Sequence, residues 1–227
     1  MRRRSRFVVL AAAAGAAYAI AAWLFLLPPL ELPPAVELAR LPPSACRDSA
    51  FLEQVRAQRT ILFVPLSDVP AAVIDALRRQ EDAFHHHRGV DWVQALRALG
   101  RDVAAGEYRY GASTLTMQLV RELRLDKQRT LLRKVREVAY ALQAERRYSK
   151  AELLEMYLNV VHWGPGIRGV GAASCYYFGV PPAEVDAEAA ARMVAVLPNP
   201  DRLGPDLAAW ARRRSVDSPA PAAGAEQ

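Results

Sequence analysis

The chain is poor in the residues that would mark a metal or disulfide scaffold. It has only two cysteines, Cys46 and Cys175, and neither falls in a CxxC or mixed Cys/His spacing, which argues against a zinc site. Two cysteines outside the cytoplasm can close one disulfide, or remain as two buried thiols, and the sequence leaves both open. The run His85-His86-His87 does not fill the gap. Three consecutive residues on a helix point in three directions, and no HExxH spacing accompanies them. No internal repeat is present, which argues against a solenoid or propeller. No sustained alternation of apolar and polar residues is present either, so a sheet-dominated fold is not expected. A surplus of one charge is also missing. The net charge is +6, but Arg2, Arg3, Arg4 and Arg6 supply four of those charges, leaving about +2 for the rest. A domain so nearly balanced is no general nucleic-acid binder, and any anion it holds should sit at a defined site.

One long apolar run is present, from Phe7 to Leu27, with no charged residue in it. That length matches a helix crossing a hydrocarbon core of about 30 Å. The preceding MRRRSR (1–6) keeps the N-terminus cytoplasmic and sends the remainder across. A cleaved signal peptide is the competing reading. The run is longer than a usual signal core, and its bulky WLFLLPPL end is a poor cleavage region, so an uncleaved anchor is favoured. Residues 28–45 contain six prolines and read as a stiff extended stalk. The folded domain is expected over 46–205, and the polar stretch 206–227 as a disordered tail.

Within the domain the pattern is helical, and the expected class is all-α. Ala71–Gln80 has Val73 and Leu77 on one face, with Phe84 joining them if the helix continues. Ser113 is a candidate cap for a helix carrying Leu115, Leu119 and Leu123. Leu131, Val135, Val138 and Leu142 form an apolar stripe. Ser149 and Glu152 form a capping box for a helix with Leu153, Tyr157 and Val160 inward. HWGPGIRG (162–169) reads as a loop, and a further helix as Ala187–Leu197, stopped by Pro198.

Two carboxylates stand out. Glu81 falls between Ile74 and Leu77 on a helical wheel, where partial desolvation favours a proton-transfer role. Glu137 shares a polar face with Arg129 and Arg133, opposite the Leu131/Val135 stripe. Between Arg121 and Arg136 there are seven basic and two acidic residues. The bland explanation of that run is a solvated helix face. The functional one is an electropositive cleft in which Arg121, Arg129, Arg133 and Lys134 neutralise a diphosphate leaving group.

Five segments, in order from about Arg78 to Pro205, resemble the glycosyltransferase domain of family 51, the peptidoglycan polymerases. EDAFHHHRGVD resembles that family's E-D-x-x-F-x-x-H-x-G-x-D, and GASTLTMQLVREL its G-[GA]-S-T-[IL]-T-x-Q-x-x-K-N-L. RKVRE resembles R-K-x-x-E, and SKAELLEMYLN resembles S-K-x-E-I-L-E-x-Y-L-N. The stretch WGPGIRG through PNPDRLGP resembles the family's closing G-x-G-x-x-G, A-A-x-x-Y-F-G, E-A-A and P-N-P. With no penicillin-binding module following, the likeness is to the monofunctional, membrane-anchored form.

The resemblance implies a lysozyme-like helical domain behind a single N-terminal transmembrane helix, at the bacterial inner membrane with the catalytic domain periplasmic. Its implied substrates are lipid II and the growing glycan chain, joined by inverting transfer with release of undecaprenyl pyrophosphate. By position Glu81 is the general base and Glu137 the second essential acid. Arg121 and Arg129 match contacts to donor phosphates, and Ser113, Thr114 and Gln118 match cleft-lining residues. No cofactor is obligatory; a divalent cation, Mg or Mn, is optional at the diphosphate. Other cell-wall synthases and division proteins are the implied partners, and nucleic acid is not.

Three departures bear on activity. The first motif is one residue short, EDAF for E-D-x-x-F, which on a helix turns Glu81 by about 100° relative to Phe84 and His87. Arg121 replaces the usual Lys, and Met117 stands where Gln is commoner. Two rivals follow. An inactive membrane-anchored scaffold would explain the short motif, and a lytic transglycosylase would use a Glu in a helical fold but has no need of the basic run.

Overall fold

The computed structural model describes residues 28–33, 35–41, 44–58, 60–80, 87–105, 113–125 and 130–217, together with Gly15. Apart from Gly15 the apolar run 7–27 lies outside the described residues, as do Glu81, Phe84, His85, His86, Arg129 and residues 218–227. Among the described residues no helix is long and apolar enough to cross a membrane.

In chain order the first elements are β1 (Ala35–Glu37), α1 (Ser49–Gln58), β2 (Ile61–Phe63), α2 (Ala71–Gln80), α3 (Trp92–Ala105), α4 (Leu115–Arg124) and α5 (Leu131–Arg147). They are followed by α6 (Lys150–Val160), β3 (His162–Gly164), β4 (Ile167–Arg168), α7 (Val170–Phe178), α8 (Ala187–Val194) and α9 (Pro200–Asp217). The protein is mostly helical, as expected, but two two-stranded sheets qualify the all-α reading. The chain divides into two compact units, Leu32–His87 with Lys150–Gln227 and Met1–Glu31 with Arg88–Ser149.

In the larger unit β1 and β2 pair in parallel, Ala35 opposite Ile61 and Glu37 opposite Phe63. Parallel neighbours need a crossover, which α1 supplies. Asp48 caps α1 through its Oδ1, which accepts from the amides of Ala50 (3.0 Å) and Phe51 (3.1 Å). Part of the expected stalk is therefore a strand, because the backbone of Ala35–Glu37 finds its partners in β2. Helix α2 begins after Pro70 and has the expected bounds, with Val73 and Leu77 buried. Helix α6 buries Leu153, Tyr157 and Val160 as expected. The core gathers Ile61, Leu62, Leu153, Leu158, Tyr157 and Trp163, all fully enclosed, and each such side chain stabilises the fold by roughly 1.5–3 kcal/mol.

Three expectations are corrected in this unit. HWGPGIRG is a hairpin, β3 and β4 running antiparallel with His162 opposite Arg168. Pro165 and Gly166 make its turn, and Gly166 takes a left-handed φ of +76° that favours glycine. The hydroxyl of Tyr177 donates to the Trp163 carbonyl at 2.9 Å, and burial pushes its pKa up to about 12, so it remains a donor. Helix α8 stops at Val194, three residues early. The amides of Val196 and Leu197 bond to the carbonyls of Met193 and Val194 in a tighter turn, consistent with Pro198 barring Leu197 from the α conformation. Finally, α9 runs through Asp217, so residues 206–217 are helix rather than tail. Leu207 and Ala211 are buried, the Trp210 ring lies under the guanidinium groups of Arg192 and Arg214, and Arg214 pairs with Asp186.

The smaller unit packs α4 against α5. Leu115, Leu119 and Val120 of α4 are buried, and Ala139, Ala141 and Ala144 of α5 are buried too. Residues 28–31 also belong to this unit. Arg124 donates to the Pro29 carbonyl, and Tyr148 donates to the Leu30 carbonyl at 3.2 Å.

Candidate active site

The α4–α5 pair sets the geometry of the basic run. The cap of α4 is Thr114, one residue later than expected: its hydroxyl accepts from the Met117 amide at 3.2 Å and donates to the Gly89 carbonyl at 2.6 Å. Thr114 is thereby buried and holds the loop at Gly89 against the start of α4. Release from capping leaves Ser113 available to the site. Thr130 caps α5 by accepting from the Arg133 amide at 3.1 Å.

Helix α5 is turned relative to the expectation. Of the expected stripe Val135 is 58% exposed and Val138 and Leu142 are only half-buried, whereas Glu137 is only 1% exposed. The inward face is Glu137, Ala141 and Ala144, at i, i+4 and i+7. Small alanines allow close approach, and the Ala141 backbone comes so near Gly89 that a Cβ there would lie 2.9 Å from the Ala141 carbonyl oxygen.

Around Glu137 every carboxylate oxygen is engaged. Oε1 accepts from Lys134 Nζ at 3.0 Å and from Ser113 Oγ at 3.3 Å, and Oε2 accepts from Arg133 Nη1 at 3.2 Å. Lys134 Nζ also donates to Ser113 Oγ at 2.7 Å. Two cations against one carboxylate leave a surplus positive charge in a largely enclosed place. Arg133 Nε is buried with no hydrogen-bond partner among the described residues, a donor still available to an anion. Gln118 and Arg121 follow on α4, both half-buried, and together with Thr114 they share one helix face. The structure thus brings together Ser113, Arg133, Lys134 and Glu137, and commits Thr114 to the local fold. Glu81 and Arg129 lie outside the described residues.

Over the chain, a family model described as Transglycosylase matches residues 48–217. The chain belongs to the transglycosylase family. The match ends with α9, in keeping with that helix being part of the domain. Among relatives, the biosynthetic peptidoglycan transglycosylase of Rhizobium meliloti is 39% identical over 139 residues, covering 61% of this chain and 58% of that protein. The enzyme of that name from Rhodospirillum centenum is 39% identical over 156 residues, 68% of this chain and 67% of that protein. Penicillin-binding protein 1F of Bacillus subtilis is 39% identical over 145 residues, 63% of this chain but 20% of that protein. Within the transglycosylase domain, sequence reasoning overlooked the inward turn of Glu137. The signal was the run of alanines at 139, 141 and 144, which marks a close helix contact better than the scattered larger residues do.

Proposed function

We propose that this protein is a peptidoglycan glycosyltransferase that polymerises lipid II into β-1,4-linked glycan strands. The reading rests on one observation above others: the enclosed Ser113–Arg133–Lys134–Glu137 cluster with its surplus positive charge and unused Arg133 Nε. That is the environment a departing diphosphate needs, since fixed cations in a poorly solvated site stabilise developing negative charge far better than water does. Glu81 takes the proton of the acceptor's 4-hydroxyl. That oxygen attacks C1 of the donor sugar from the face opposite the diphosphate. The C1–O bond to the diphosphate breaks, and undecaprenyl pyrophosphate leaves. Arg121 and Arg129 join Arg133 and Lys134 along the leaving group, with Gln118 on the cleft wall. The domain carries out this step in a lysozyme-like fold, without an obligatory cofactor. Both oxygens of Glu137 already carry cationic donors, so a Mg or Mn ion at the diphosphate would have to displace Arg133 or Lys134 to be ligated by this carboxylate.

A lipid substrate requires a place at the membrane. The anchor 7–27 provides it, with the domain on the periplasmic face of the inner membrane. The exposed apolar residues of the smaller unit fit the same location. Trp92, Val93 and Leu96 of α3 stand 57–69% exposed beside the exposed Arg97, a combination suited to the headgroup boundary. Fluorescent lipid II incubated with the detergent-solubilised full chain should give polymer, and Glu81→Gln should give none. Polymer from both would remove Glu81 as the base; no polymer from folded wild type would favour a scaffold, and degraded glycan a lytic enzyme.

A further inference from the structure

The proline-rich stretch that follows the apolar run does not stand clear of the domain at its start. Leu30, between Pro29 and Glu31, is only 7% exposed, and two side chains take hold of the backbone beside it. Arg124 Nη2 donates to the Pro29 carbonyl, and the Tyr148 hydroxyl donates to the Leu30 carbonyl at 3.2 Å. Arg124 Nη2 also lies 4.0 Å from Glu31 Oε2. The Arg124 side chain is three-quarters enclosed, and its Nε is buried with no hydrogen-bond partner among the described residues. An arginine gives up hydration to sit this way, and the carbonyl it reaches, 95 residues away in sequence, offsets that cost.

Both clamping residues end the helices that build the site. Arg124 is the last residue of α4, and Tyr148 caps the C-terminal end of α5. Residues 28–31 share one compact unit with Ser113, Arg133, Lys134 and Glu137, whereas the larger unit begins at Leu32. The entering backbone is therefore fastened first to the unit that carries the cation cluster. Chain lengths decide what this does. At about 3.5 Å per residue, Leu27 to Pro29 spans no more than about 7 Å. The next backbone paired in regular structure is β1, at Ala35, and Leu27 to Ala35 spans up to about 28 Å. The clamp thus shortens the free tether about fourfold.

We propose that Arg124 and Tyr148 are positioning residues that hold residues 29–31 as a short bracket, keeping the cation cluster within reach of a lipid-borne diphosphate at the membrane surface. The proposal rests on the reading of 7–27 as an anchor and of the domain as a polymerase. A diphosphate free in solution has no use for the bracket. One fixed in a bilayer does, because the cluster must meet it at a set height. A tether fourfold longer dilutes the cluster about fourfold if it opens along the membrane normal alone, and about 60-fold if it opens in every direction.

The test measures kcat/KM for wild type, Arg124→Met, Arg124→Lys and Tyr148→Phe, all as full chains, on two substrates. One is long-chain lipid II in vesicles of phosphatidylethanolamine and phosphatidylglycerol that carry the protein. The other is a short-chain, water-soluble lipid II with the protein in detergent. In vesicles Arg124→Met should lose between about fourfold and about 60-fold, and Tyr148→Phe should also lose activity. Arg124→Lys should recover most of the loss, because an ammonium still donates to the Pro29 carbonyl. In detergent all three variants should match wild type, with thermal midpoints near it. Equal losses in the two systems would make these residues supports of the fold or contacts to the diphosphate, and would overturn the bracket. Full activity of Arg124→Met and Tyr148→Phe in vesicles would overturn it as well. Two outcomes fall instead on the readings beneath it: wild type washed from the vesicles by alkaline carbonate removes the anchor, and wild type inert toward both substrates removes the polymerase. Either takes this proposal with it.

Discussion

Glu137 has the most demanding environment of any single residue described. A carboxylate enclosed to 1% exposure depends on its partners, and here three side chains supply them. Glu137→Gln keeps the shape but puts an amide N–H where an acceptor faced a cation. Urea unfolding should show a loss of about 1–3 kcal/mol, together with loss of polymerisation. An unchanged midpoint would mean that Arg133 and Lys134 turn to solvent and that the carboxylate does not hold them. The residue types at this site were readable in advance, because a basic run flanking an isolated acid is a pattern of letters. Which of them is buried was not, since burial depends on what α4 presents to α5. Ser113 illustrates the point: one position separates a helix cap from a site hydroxyl, and the choice fell to Thr114 through its bond to Gly89.

Among the elements, α2 and α6 were legible because large apolar residues recur on one face and a proline or a capping box marks the start. The facing of α5 was not. Leu131, Val135, Val138 and Leu142 suggested an inward stripe, yet Val135 is exposed, Val138 and Leu142 are only half-buried, and Ala139, Ala141 and Ala144 are the buried residues. Hydrophobicity alone cannot distinguish a face turned to protein from one left exposed, and both outcomes exist within this helix. The hairpin β3–β4 was missed because its strands are too short for alternation to register. The α5 contact is vulnerable at Gly89, whose φ is +79° and whose missing Cβ makes room for the Ala141 carbonyl. Gly89→Ala should destabilise the protein by about 1–3 kcal/mol from backbone strain alone, with a further cost from displaced α5. A thermal midpoint equal to wild type would show that α5 can retreat freely.

For the molecule as a whole, the C-terminal boundary was set by contacts no local pattern displays. Polar residues 206–217 are helix because Trp210 and Arg214 find partners in α8 and its cap. The Arg214 guanidinium beside Asp186 holds that carboxyl below its ordinary value of 3.8, with the Ala189 amide assisting. A depressed carboxyl contributes its stability fully above the unfolded value and loses it as pH falls through the folded one. Docking of α9 should therefore be insensitive to pH above about 5 and weaken in more acidic solution, and Trp210 fluorescence reports it. In Arg214→Met that acid-dependent change should disappear.

Cys46 and Cys175, which the sequence left open as a pair or as two thiols, are joined in a disulfide that spans 129 residues of sequence. In the chain-entropy account a crosslink of that span is worth about 4–5 kcal/mol, so reduction or Cys46→Ser should lower the denaturant midpoint accordingly. It also sets an order of events during biosynthesis. A ribosome adding about 5–20 residues per second leaves Cys46 waiting roughly 6–26 s for its partner to be made. All of residues 88–149 emerge in that interval. Until then the nascent polypeptide carries a solitary thiol, open to any oxidant or thiol-bearing neighbour it meets, and correct maturation depends on that thiol being spared.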